Sequence, residues 1–200
     1  MLELRRKIAN DLFGYLELSD ALSAYGNVRN KIQRLLEDGS IIRIKKGFYT
    51  FPEALRRAPL EPGVVANLIH GPSYVSCEYA LSFYGLIPEA VTSVTSVTST
   101  RSCEFDTPVG RFRYFHRAAA DYAVGVRLEG QMLIASPEKA IYDKAALDRR
   151  FDGNGVEEYL MADLRLDPAA LPKPDPDTLR ELGRCGRGRM KSLVTFLEKL

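Results

Sequence analysis

Apolar residues recur at every fourth position near the start of the chain. Leu4, Ile8 and Leu12 make one stripe, which predicts a first helix. Leu18, Ser19 and Asp20 supply an apolar residue followed by capping side chains. They predict a short second helix from Asp20 to Tyr25, ended by Gly26. Asn27 is placed to cap a third helix, in which Val28, Ile32, Leu35 and Leu36 form the inward stripe and Gly39 marks the end. Ile42 and Ile44 then alternate with Arg43 and Lys45. Lys46-Gly47 sits where the chain must reverse, and Phe48, Tyr49 and Phe51 return as a second strand. Three short helices and a hairpin predict a winged helix-turn-helix domain over residues 1–57.

From Pro52 to Gly63 three prolines break the periodicity, as at a domain boundary. Val64 to Ile69 suits a short helix, and Ser76 is placed to cap another that runs to Gly85. In VTSVTSVTST, residues 91–100, seven of ten side chains are β-branched, and valines fall on both faces, which predicts an inner strand. CEFDT and RFRYFH flank a first turn, Pro108-Val109-Gly110. YAVGVRL and QMLIA flank a second at Glu129-Gly130. Ser136-Pro137 opens a helix that should reach Leu147. The remainder is expected to be helical, with PKPDP as a spacer and an amphipathic last helix holding Leu193, Phe196, Leu197 and Leu200. The whole is therefore α+β: an N-terminal winged helix-turn-helix followed by a mixed α+β C-terminal domain over residues 58–200.

On a wheel at about 100° per residue, the third helix carries Asn30, Gln33 and Arg34 opposite its apolar arc, flanked by Arg29 and Lys31. Arg pairs two acceptors of guanine, and Asn or Gln matches the donor and acceptor of adenine. Glu37 and Asp38 occupy the far end, so the N-terminal half from Asn27 is expected to enter a groove of duplex DNA. Arg43, Lys45 and Lys46 on the wing, with Arg5, Arg6 and Lys7 on the first helix, suit phosphates. The charge distribution agrees. Residues 1–57 hold 11 Lys/Arg against 7 Asp/Glu, or +4, whereas the rest holds 17 against 19, or −2. GRCGRGRMK, residues 183–191, has basic side chains between glycines and is expected to be a solvated loop before the last helix.

Other chemistry finds little footing in the residues. Cys77, Cys103 and Cys185 are far apart, and His70 and His116 stand alone, so neither a disulfide framework nor a metal site is expected. There is no Gly-rich phosphate loop, GxSxG or HExxH, so no cofactor and no catalysis is expected. The rival enzyme reading is a metal-dependent nuclease built from Glu78, Asp106, Glu138, Lys139, Asp143 and Lys144. Against it, Glu138 suits a helix start, and Asp143 and Lys144 fit an ordinary helix surface. A second rival is a winged helix that docks protein. No apolar run approaches the roughly 18–20 residues that cross a bilayer, and no signal peptide is evident, which predicts a cytoplasmic protein.

GPSYVSCEYALSFYGLIPE (71–89), VTSVTSTR (94–101), TPVGRFRYF (107–115) and IASPEKAIYDK (134–144) resemble the AbiEi family of antitoxins and transcriptional regulators of type IV toxin–antitoxin systems. The resemblance covers nearly the whole chain and is most specific between Tyr74 and Lys144. It implies a repressor that binds inverted repeats in its own promoter; a single protein on a palindrome usually acts as two copies, either preformed or assembled on DNA. It also implies a C-terminal domain that counters a nucleotidyltransferase-type toxin without a stable complex. The family's DNA-reading elements fall on Asn27 to Arg34 and Arg43 to Lys46, and no catalytic residue is carried over.

Overall fold

The computed structural model describes residues 2–117 and 120–200, and its architecture is mixed α+β. The chain opens with α1 (Leu2–Lys7), β1 (Leu12–Gly14), α2 (Tyr15–Ala21) and α3 (Val28–Glu37). The hairpin β2 (Ile42–Lys45) and β3 (Phe48–Thr50) follows. β1 pairs antiparallel with β3 and gives a three-stranded sheet in the order β1-β3-β2. This corrects the expected first helix, since Leu12 shares the helical spacing of Leu4 and Ile8 yet lies in a strand. Asp11 marks the break. Its carboxylate takes the Arg5 guanidinium at 2.5 Å and the backbone N–H groups of Arg57 and Ala58.

The second helix also starts five residues before the expected Asp20. Gly14 stands at its N-cap without a side-chain bond, and the cap candidates Ser19 and Asp20 lie inside it. Leu18 of this helix and Leu22 just beyond it are buried with Ile32 and Leu35 of α3, Phe13 and Tyr49 of the sheet, and Phe51. The third helix follows the periodicity. The Asn27 side chain accepts from Asn30 N at 3.0 Å, and Gly39 beyond the last turn has φ +70°, open to glycine at no steric cost.

After a 3₁₀ turn at Glu53–Leu55 come α4 (Pro62–Ile69), β4 (Ser73–Val75), α5 (Cys77–Phe83), β5 (Ser93–Thr98), β6 (Cys103–Thr107), β7 (Gly110–His116), β8 (Val126–Glu129), β9 (Met132–Ala135) and α6 (Pro137–Leu147). The six strands form one sheet in the order β6-β7-β5-β4-β9-β8. The β-branched run is β5. It is parallel to β7 and antiparallel to β4, and is buried along nearly its whole length. Both expected hairpins are present as β6–β7 and β8–β9, and α6 ends at Leu147. α7 (Val156–Glu158), a π-helical turn at Tyr159–Asp163, α8 (Pro176–Cys185) and α9 (Arg189–Leu197) complete the chain.

Most of 183–191 is thus helix rather than loop. Arg189 donates to the carbonyls of Ala146, Asp148 and Phe151 and ties α9 to the end of α6. The buried apolar residues form two clusters, one from Leu4 to Phe51 and one from Val65 to Leu197, and Ile44 of β2 belongs to the second. No helix among the described residues is long and apolar enough to cross a membrane.

Candidate nucleic-acid interface

α3 buries Ile32 and Leu35 and leaves the opposite side in solvent. Arg29, Asn30, Gln33 and Arg34 are all exposed, and spacings of three and four residues place them on one face. Among the described residues, no carboxylate lies within ion-pair distance of Arg29, Arg34, Arg43 or Lys46. Gln33 donates to Glu37 Oε1 at 2.9 Å, an exposed bond that orients its amide along the helix. Lys31 is half-buried, with its ammonium 5.0 Å from the Tyr25 ring centroid, and stands to the side of that face. The Asn27 oxygen is engaged in capping, so its part in any groove contact is to fix the start of the helix.

The β2–β3 hairpin corrects part of the expected set. Pairing of β2 with β3 skips Ile44: Arg43 faces Tyr49 and Lys45 faces Phe48, so the strand contains a bulge. A bulge breaks the two-residue alternation and re-aims the side chain beyond it. Arg43 and Lys46 remain exposed, but Lys45 turns to the larger sheet. It donates to the Ile69 carbonyl and lies 5.9 Å from the Phe105 ring centroid. Lys45 is therefore a junction residue and not a free phosphate contact. On α1 the same correction applies to Arg5, which is buried. Besides Asp11 it binds the carbonyls of Ile8 at 2.7 Å and Leu55 at 2.9 Å, with its guanidinium 4.7 Å from the Phe51 ring.

Tyr15 and Leu16 were not signalled by the sequence pattern. Tyr15 N donates to Gly47 O at 2.9 Å, which holds the start of α2 against the β2–β3 turn, and both side chains are exposed. Only the pairing of β1 with β3 brings them there, and that pairing leaves no local mark.

The acidic and basic residues of the rival enzyme reading have a different fate. Asp143, expected on an ordinary helix surface, is fully buried, and so is Lys139. Lys139 Nζ lies 3.1 Å from Asp143 Oδ1 and donates to the Asp121 carbonyl at 2.7 Å. Tyr74 and Ser76 each donate to Asp143 Oδ2 at 2.9 Å, and Arg117 bridges Asp121 at 2.5 Å and Asp143 at 3.7 Å. Burial opposes the Asp121 charge, yet the bond and charge of Arg117 outweigh it and hold the carboxyl below its ordinary range. Two carboxylates and two cations cancel within this group. Glu78 is engaged with Lys144 at 2.5 Å, and Asp106 with Arg111 at 3.2 Å. Among the described residues no three His, Cys, Asp or Glu gather as a metal would need.

No family model matches the chain, and no curated protein matches it. Among solved structures it is similar to the Rv2827c protein from Mycobacterium tuberculosis. That likeness has a TM-score of 0.60 at 15% identity, over 98% of this chain and 73% of that one. At that identity the likeness is one of fold.

Proposed function

We propose that residues 1–57 are a winged helix-turn-helix that reads duplex DNA, with α3 in the major groove and the β2–β3 turn on the backbone. The protein is then a transcriptional repressor. In the AbiEi-like reading it acts as the antitoxin of a type IV system that autoregulates its operon. The observation that carries this is the outer face of α3, where Arg29, Asn30, Gln33 and Arg34 are exposed and neither arginine has an acidic partner among the described residues. The order helix, strand, helix, helix and hairpin, closed into one small antiparallel sheet, supports the same reading.

The test is a shift or anisotropy titration with the protein's own upstream region over a range of salt. Arg34→Ala or Asn30→Ala should cost about 1–3 kcal/mol on that sequence and little on unrelated duplex. Affinity should fall by about 0.9 log units per neutralised phosphate for each log unit of salt. Wild-type affinity in both variants sinks the assignment of α3.

A further inference from the structure

The outer edge of β8 is open: β8 is the last strand of the larger sheet, and no described strand pairs with its far side. Four observations at this edge point to the same partner. First, Leu128 and Leu133 are cross-strand partners and so share a face, and they are 64% and 44% exposed. Secondly, Arg127 and Glu129 share the other face. Arg127 Nε lies 2.8 Å from Glu129 Oε1, and both side chains are substantially exposed. Arg127 also reaches the Tyr84 hydroxyl at 3.3 Å, which steadies the guanidinium without neutralising it.

Thirdly, the main-chain direction at Leu128 can be fixed. Leu133 N donates to Asn67 Oδ1 at 2.8 Å and Leu133 O accepts from Asn67 Nδ2 at 3.2 Å, so both groups point away from β8. In an antiparallel ladder, directly opposed residues either exchange both bonds or turn both groups outward. The N–H and C=O of Leu128 therefore face the open edge. Fourthly, the sequence Arg127-Leu128-Glu129 is self-complementary about its centre.

We propose that the partner of this edge is a second copy of the same chain, joined antiparallel about a twofold axis at Leu128. The two Leu128 residues then exchange N–H···O=C bonds. Arg127 lies opposite Glu129 of the other copy, twice over, in an alternating quartet. On the opposite face Leu133, Leu128 and their copies form one apolar strip across the seam. An exposed edge strand invites such pairing, and an isologous contact closes at two copies and does not grow further. The proposal deepens the DNA-reading function, since an inverted repeat takes two copies, but its test uses no DNA, so failure of one reading is distinct from failure of the other.

The test is sedimentation equilibrium of the whole chain over a wide concentration range. The wild type should pass from monomer to dimer. Arg127→Glu and Glu129→Arg, each alone, set two like-charge pairs across the seam and should weaken dimerisation about tenfold. The double charge swap, Arg127→Glu with Glu129→Arg, restores both opposite pairs and should recover it. Circular dichroism of each variant checks that the fold persists. A wild type that stays monomeric at its highest soluble concentration, single variants that associate like the wild type, or a double variant as weak as the singles overturns the proposal.

Discussion

Asp143→Ala is expected to be among the most damaging single changes in the chain. The carboxylate is wholly buried, 3.1 Å from the equally buried Lys139 ammonium, and it accepts two hydroxyl bonds at 2.9 Å from Tyr74 and Ser76. Removing it strands a cation in the interior. Breaking a buried pair from one side costs about 3–5 kcal/mol. For a chain of this size each kcal/mol moves the melting temperature by about 2–4 °C, so the drop should be about 6–20 °C. Arg117 keeps its 2.5 Å bond to Asp121 and limits the damage on that side. Asp143→Asn retains an acceptor for the two hydroxyls while losing the charge, and should fall between Ala and wild type. Asp143→Leu with Lys139→Met removes both charges and should recover most of the loss, because a buried ion pair is commonly worth no more than an apolar pair of its size. Urea titration followed by circular dichroism measures the three variants against the wild type. A cost below about 1 kcal/mol for Asp143→Ala, the range of ordinary surface changes, would refute the buried-pair argument.

The β2–β3 hairpin gives a second contrast. Lys46→Ala should lower the salt slope of DNA binding by about 0.9. Lys45→Ala should leave the slope unchanged and instead cost about 1–2 kcal/mol of stability through its lost bond to Ile69. Acidification should destabilise the protein in two steps, read as denaturation midpoints against pH. His70 is lowered from its ordinary 6.5 by burial first, then by Lys45 and Arg101, so the folded state holds fewer protons than the unfolded chain. Its contribution is present above that value and is lost as pH falls below it, and His70→Gln should abolish this step. Asp121 is held below 3.8, so its contribution is present above that value and lost as pH falls through the lower folded one. Half-site spacing follows from the sheet. The N-terminal unit meets it at Phe105 of β6, the edge opposite β8, so two six-stranded sheets joined at β8 separate the readers by about 50 Å at ~4.8 Å per strand. Footprinting should then find half-site centres farther apart than the ~34 Å of one turn.

Elements whose signals are local were legible in the sequence. Ser136-Pro137 marks the start of α6, Asn27 and Gly39 bound α3, and the β-branched run is the inner strand β5. β1 and the true start of α2 were not legible. Leu4, Ile8 and Leu12 fit helical spacing, and the strand exists through pairing of Leu12, Phe13 and Gly14 with Thr50, Tyr49 and Phe48 and the bond from Thr50 Oγ1 to the Asp11 carbonyl. Gly14 offers no side-chain cap, whereas Ser19-Asp20 imitates one inside the helix.

The same division runs through the candidate site. The exposed face of α3 could be read from periodicity alone, because the stripe that buries Ile32 and Leu35 dictates what lies opposite. Lys45 could not, since a one-residue bulge reverses its direction without changing the alternation of residue types. Lys139 and Asp143 stand four apart, the spacing of a common surface pair, and only the distant Arg117, Asp121 and Tyr74 close over them. These misreadings share one consequence. Basic residues that resembled phosphate contacts hold the molecule together, with Arg5 tying α1 to Leu55 and Lys45 tying β2 to Ile69. With Ile44 in the larger core as well, the β2–β3 hairpin is packed against the second sheet. In the proposed complex, the orientation of α3 is then set partly by residues that touch no DNA.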